Sequence, residues 1–367
     1  MRTTSLTRRR VLAGAVLLAL LVFGMPAAAE QSLTVVSFGG SYARASQQAY
    51  HEPFTAATGI EVKLEDYNGG LAQIRAQVET GNVYWDVVDL NVADAVLGCD
   101  EGLLEFITVE DLPPAADGTP AEEDFVTGTL TDCGLGTIFF SSIYAYHPQH
   151  FPDAQPATIE DFFDLDRFPG RRGMRRVPSD NLEMALLADG VPLEEVYATL
   201  DTPEGVDRAF RKLDTIKDHI VWWEAGAQPP QMLADGEVVM STAYNGRIFN
   251  AQVREDQPFV IVWDGQILDN SQLVIVAGAP NLEEARRFIA FAGKPESMAG
   301  VSRYISYGPV RRSGTALVTE HEETGVDMAP HMPTTPANME RALHHDWRWW
   351  SDRGDEMNER FSGWLAR

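Results

Sequence analysis

The sequence predicts an α/β chain of two lobes, each a mostly parallel sheet flanked by helices, with a ligand cleft between them. Three observations carry this. The chain has 367 residues, enough for two domains of ordinary size. Strand and helix patterns alternate from residue 33 onward. Few recognisable catalytic signatures interrupt that alternation.

The N-terminus reads as an address rather than as part of the fold. Arg2, Arg8, Arg9 and Arg10 precede an uncharged apolar run, Val11 to Phe23, and Ala27-Ala28-Ala29 supplies small residues for cleavage. The run is shorter than the roughly 20 residues of a membrane span, so residues 1–29 are expected to be a signal peptide. The mature protein is therefore expected to be exported. Thr7-Arg8-Arg9-Arg10-Val11-Leu12 resembles a twin-arginine signal, which makes that route an alternative to general export. Cleavage would remove 29 residues and four arginines, leaving 338 residues and moving the net charge from −25 to −29. Such acidity argues against nucleic-acid and anionic-membrane partners and is compatible with a cationic ligand. The two cysteines, Cys99 and Cys133, are expected to form a disulfide in an exported protein.

Leu33 to Phe38 is an apolar strand that ends in Gly39-Gly40, and Ile60, Val62 and Leu64 alternate as a second strand. Leu71, Ile74 and Val78 have helical spacing, and Asp86 to Leu90 is a third strand. This βαβαβ start implies parallel strands with right-handed crossovers. Ile143 to Tyr146, Ile220 to Trp223, Val238 to Met240, Phe259 to Trp263 and Leu273 to Val276 are further strand candidates. Helices are expected at Thr158–Asp161, at Pro203–His219 and over most of the chain after Leu282. The predicted lobes are 30–139 plus 270–311 and 140–269 plus 312–367, with three crossings between them.

Ligands of open α/β sheets bind beyond the carboxyl ends of strands, so residues just after strands are the informative ones. Gly39 and Gly40 allow close approach to the backbone, with Ser41 and Tyr42 following. Asn91 follows the third strand, Asp180 opens a helix, and Glu224 follows Trp222-Trp223. Tyr244 and Arg247 follow the strand containing Met240, while Asp264 and Asp269 follow Trp263. Aromatic faces and carboxylates together suit an amine, through cation–π contact and charge-assisted hydrogen bonds. The pairs His147/His150 and His344/His345 are expected on the surface, and Trp347 to Trp350 is expected to pack a C-terminal helix onto a lobe.

In these segments the chain resembles the periplasmic spermidine/putrescine-binding proteins, a branch of the extracellular solute-binding proteins of ABC importers. The resemblance rests on Leu33 to Val36 before Gly39-Gly40, Phe54 to Val62, Tyr84 to Val88, Gly236-Glu237-Val238 leading into Tyr244-Asn245-Gly246, and Tyr307 to Val310. It implies a two-lobed periplasmic binding protein fold that closes on its ligand, a membrane permease as partner, a monomer, no cofactor and no metal. Tyr42, Asp180, Tyr244 and Tyr307 sit where that family places ligand contacts. The leading expectation is therefore a non-enzymatic binder of a polyamine, with Asp180, Glu224 and Asp269 pairing ammonium groups and Tyr42, Tyr244 and Tyr307 stacking on methylenes. The sequence also departs from that branch. Gly39 and Tyr244 stand where polyamine binders tend to have tryptophan, and Arg247 is similar to an arginine in a sister group that binds 4-aminobutyrate. The alternative is thus an ω-amino acid such as 4-aminobutyrate, its carboxylate held by Arg247 and its amine by Asp269.

Overall fold

The computed structural model describes Met1 and residues 31–367; the expected signal peptide lies outside the described residues. The strands are β1 Ser32–Ser37, β2 Glu61–Asp66, β3 Val87–Asn91, β4 Gly134–Tyr146, β5 Arg172–Arg175, β6 Ile220–Trp223, β7 Met240–Tyr244, β8 Val260–Ile275, β9 Gly308–Pro309 and β10 Leu343–His344. They form one sheet in the order β2-β1-β3-β8-β4-β7-β5-β6, with β10 beside β8 and β9 beside β4.

The order has two halves. β1 runs parallel to both β2 and β3, and β5 runs parallel to both β6 and β7. Between these parallel groups lie β4 and β8, paired antiparallel along their length from Gly134↔Val274 to Tyr146↔Val260. β3 continues antiparallel onto β8 at one end, and β7 continues onto β4 at the other. The register between β4 and β8 shifts twice, between Gly136 and Ile138 and between Ser142 and Tyr144. Such bulges bend the strands.

The apolar pattern divides β8 into two strand candidates, Phe259 to Trp263 and Leu273 to Val276. The structure joins them through the polar stretch Asp264 to Gln272. That stretch breaks the apolar pattern because it crosses the molecule's waist, where β8 leaves one core and enters the other.

Apolar burial is gathered on both sides of that waist. One core collects Leu33, Val35, Phe54, Leu135, Phe288 and Ile289. Another collects Tyr144, Phe162, Leu186, Phe210, Met240, Phe361 and Trp364. At roughly 1.5–3 kcal/mol for each fully buried large apolar side chain, either cluster is ample to hold a lobe. The helices that matter for the site are α1 Gly40–Ser46, α2 Ala72–Thr80, α3 Val92–Asp100, α4 Asn181–Ala188, α5 Asn245–Arg254 and α6 Trp347–Leu365. As expected, α6 buries Trp350 and Trp364 against the second core. A disulfide joins Cys99 in α3 to Cys133 just before β4, with Cα atoms 5.7 Å apart. None of the described helices is long and apolar enough to cross a membrane.

Candidate functional site

The strand order dictates where a site forms. β1, β3, β5 and β7 end on the same waist that β4 and β8 cross, and a cavity of about 320 Å³ lies there. Phe38 lines it from the turn after β1 and Tyr42 from α1, Asn91 from the end of β3 and Asp94 from α3, and Arg175 from the end of β5. Asp180, Tyr244, Arg247, Asp269, Tyr307 and His345 complete its ionisable lining, and Phe140 and Trp350 its aromatic lining.

Aromatic rings form one wall. Tyr42 and Tyr307 meet edge to face at 5.6 Å between centroids, and Phe140 meets Tyr244 the same way at 5.4 Å. A Cβ on Gly246 would stand 2.5 Å from the Tyr307 ring, so only glycine lets α5 start against it. Burial, and secondarily Asp89, raises the Tyr42 phenol well above its usual pKa. Burial pushes Tyr307 up to about 12. These rings therefore present neutral hydroxyls and apolar faces.

Arg247 sits at this aromatic end and is 3% exposed. Its place follows from β7 ending at Tyr244, which leaves Arg247 in the first turn of α5. Nη1 donates to the Gly39 carbonyl at 2.7 Å and to Ser41 Oγ at 3.4 Å, and Nη2 donates to the Phe38 carbonyl at 3.2 Å. Its Nε–H is buried without an acceptor. Among the described residues Arg247 makes no ion pair, whereas the similarly buried Arg311 has Asp124 at 2.6 Å. A buried arginine with no carboxylate at ion-pair distance and a donor unused is costly; the charge that acts on it is that of Asp89 beneath the floor. Arg175 is a second cation of the lining; its Nη2 reaches only the Asn68 carbonyl, at 3.2 Å.

Carboxylates line the cavity as well. Asp180 precedes α4 with φ of 68° and ψ of −40°, a region strained for any residue with a side chain. It does not cap α4; its Oδ2 accepts from Ser142 Oγ at 2.7 Å. Asn181 holds the loop before it by donating to the Arg175 and Val177 carbonyls at 2.7 and 2.6 Å. Asp269 lies in mid-β8, where burial raises its carboxyl to about 6 although His345 opposes the shift. Burial raises Asp94 also, with Arg175 opposing. Beneath the floor, Asp89 accepts hydrogen bonds from Ser271 and Ser37, and burial takes it to about 6.

The cavity thus gathers Tyr42, Asn91, Asp180, Tyr244, Arg247, Asp269 and Tyr307 from the sequence-derived candidates. Asn91 faces it but uses its side chain to accept from Asp94 N at 2.8 Å, as the cap of α3. Gly39 and Gly40 form the turn that Arg247 grips. Glu224 is not brought in. β6 is the outermost strand of the sheet, and Glu224 after it is 61% exposed and paired with surface Arg176 at 3.4 Å.

His345 is the residue that sequence reasoning misplaces. β10 adds Leu343 and His344 to the edge of β8, and His345 N–H then donates to the Leu268 carbonyl at 2.9 Å. This turns the imidazole into the cavity wall, 5% exposed, with Nδ1 3.5 Å from Asp269 Oδ2. A two-residue strand leaves no periodic signal, and the helix expected to carry His345 begins only at Trp347. The other pair, His147 and His150, does lie at the partly exposed edge of its turn.

Comparison with known proteins agrees with this architecture. Residues 49–334 match the family model described as bacterial extracellular solute-binding protein. The chain is 45% identical over 348 residues, 95% of each chain, to a gamma-aminobutyric acid-binding protein of Pseudomonas aeruginosa. It is 34% identical to the crystal structure of an ABC transporter substrate-binding protein from Bradyrhizobium japonicum, with TM-score 0.79 and coverage of 91% of this chain and 99% of that one. A structure described as the Atu4243 GABA receptor is 29% identical, with TM-score 0.77 and coverage of 92% and 98%.

Proposed function

Because the chain belongs to the bacterial extracellular solute-binding protein family, we propose that it captures an ω-amino acid of the 4-aminobutyrate type and presents it to the permease of an ABC importer. The observation that carries this choice is Arg247. A polyamine would bring only positive charge to a buried arginine that has no carboxylate partner. A ligand carboxylate would supply that partner and the acceptor its Nε–H lacks. Asp180 and Asp269 line the same cavity and would take the ammonium, with Tyr42, Phe140, Tyr244 and Tyr307 around the methylenes. The name of the Pseudomonas relative points the same way. On this reading the protein is a periplasmic binder rather than an enzyme, acts as a monomer, and closes by bending β4 and β8 between lobes 30–139 plus 270–311 and 140–269 plus 312–367.

Titration calorimetry on the mature protein with 4-aminobutyrate and putrescine tests the choice. Saturable binding of 4-aminobutyrate, tighter than putrescine at pH 7, is the expected result. Putrescine binding tenfold or more tightly than 4-aminobutyrate, or neither compound binding at millimolar concentration, would sink it.

A further inference from the structure

His345 stands outside the pairing just described, yet it touches the carboxylate end. Its Nδ1 is buried without a hydrogen-bond partner and lies 3.5 Å from Asp269 Oδ2. Its Nε2 is 3.2 Å from Ser179 Oγ, and its ring stacks parallel on Trp350. Asp180 and Glu183 face it from the segment that opens α4, Asp269 from β8, Asp94 from α3, and Asp346 from its own chain neighbour. Glu183 is turned away from the cavity. It accepts from Trp350 Nε1 at 2.5 Å and from the Tyr197 hydroxyl at 3.2 Å.

The charges that line the cavity can be counted. Asp94, Asp180 and Asp269 are negative, Arg175 and Arg247 are positive, and His345 is the remaining ionisable group apart from the tyrosines. Protonation of His345 makes the surroundings of the ligand more positive by one charge, which suits a zwitterion better than a dication. Loss of that proton makes them more negative by one, which favours a cation. Charges enclosed at low dielectric interact strongly enough for one proton to matter.

We infer that His345 is a specificity-determining residue of this site, whose protonation selects zwitterionic ω-amino acids and excludes diamines. The inference rests on the reading of the site given above. Burial opposes the imidazolium, but Asp269, Asp180 and Glu183 outweigh it and raise its pKa above the ordinary value. Near neutral pH the imidazolium is therefore populated, and a second ammonium entering beside Asp269 meets a cation already there. As pH rises and His345 loses its proton, discrimination against diamines weakens.

The test is competition calorimetry between 4-aminobutyrate and putrescine from pH 5.5 to 8.5, on the wild type and on His345→Gln. The alkyl amines titrate at about 10 and the carboxylate at about 4, so the ligands' own charges hardly change over this range. Putrescine should gain tenfold or more relative to 4-aminobutyrate as pH rises in the wild type. In His345→Gln the rise should be clearly smaller, reduced to the part that Asp269 gives by titrating at about 6 within this range, with the ratio at pH 8.5 near the wild-type alkaline limit. The amide side chain of that variant retains a donor for Asp269, and the backbone bond to Leu268 persists. Should the variant fold poorly, an NMR titration of the His345 ring in the wild type replaces it, and its midpoint must match that of the ratio. A ratio independent of pH in the wild type overturns the inference, as does the same slope in His345→Gln or putrescine that never competes at any pH. Failure of 4-aminobutyrate itself to bind is a different result and removes the underlying reading.

Discussion

Arg247 Nη1 donates to the carbonyl oxygen of Gly39 at 2.7 Å, tying the first turn of α5 to the turn after β1. One guanidinium therefore senses both sides of the cleft, because α5 follows β7 in one half of the sheet and Gly39 follows β1 in the other. A ligand carboxylate that bonded this guanidinium would be held by a group already anchored to the far wall.

Replacing Arg247 with alanine should weaken 4-aminobutyrate binding tenfold to a hundredfold, the equivalent of about 1.5–3 kcal/mol for a hydrogen bond to a charged group. Lysine should not restore it, since one ammonium cannot reproduce the forked contact. Calorimetry checks both; wild-type affinity in Arg247→Lys would mean that only charge matters there.

Gly40→Ala is expected to strike the site through its arginine. Gly40 has φ of +60°, and a Cβ there would stand 2.7 Å from Arg247 Nη1. The strain should cost roughly 1–2 kcal/mol of stability, and displacement of Arg247 should lower affinity tenfold or more. Circular dichroism on the same sample separates the two effects, because a folded but weakly binding variant is the predicted result.

Acid should weaken the amine end. Asp269 titrates at about 6 in the folded, ligand-free protein against 3.8 for an ordinary aspartate, and only its charged form pairs with an ammonium. Affinity for 4-aminobutyrate should therefore fall as pH drops through about 6, and Asp269→Asn should flatten that limb of the profile. Stability carries the opposite sign. The folded state holds the proton more tightly than the unfolded chain, so the contribution of Asp269 to ligand-free stability declines as pH rises from about 4 to 6. Melting curves of wild type and Asp269→Asn across that interval should diverge accordingly; parallel curves would contradict the shift.

Reducing the Cys99–Cys133 bridge opens a loop with a sequence separation of 34. Chain-entropy reasoning puts the loss at about 4 kcal/mol. Denaturant unfolding with and without a reductant reads this directly, and an unchanged midpoint would show that the bridge contributes little.

Much of this site is legible in the sequence, for a physical reason. Parallel strands in βαβ units end in turns that glycine and cap residues mark, so Gly39-Gly40, Asn91 and Tyr244 stand out by following apolar runs. The same rule fails for Glu224, because following a strand says nothing about whether that strand lies inside the sheet or at its rim. Asp269 reads as a residue beyond a strand end and is in fact held in mid-strand; its polar neighbours conceal the continuity of β8. His345 is illegible because its position depends on pairing Leu343 with Ile267, a contact between residues far apart in the chain. The charge balance of the cavity cannot be read until that pairing is known.

The register of β3 against β8 also bears on how the chain matures. Val87 pairs with Ile275 and Asn91 with Ser271, so the first half of the sheet stays incomplete until chain nearly two hundred residues downstream has emerged. Until then β3 and the first half of β4 have open edges, and contacts of such long range form slowly. Nascent chains stalled before residue 260 should therefore be aggregation-prone and dependent on chaperones, as unpaired strand edges generally are. The strands that join the two halves also prevent either half from being made first and finished alone.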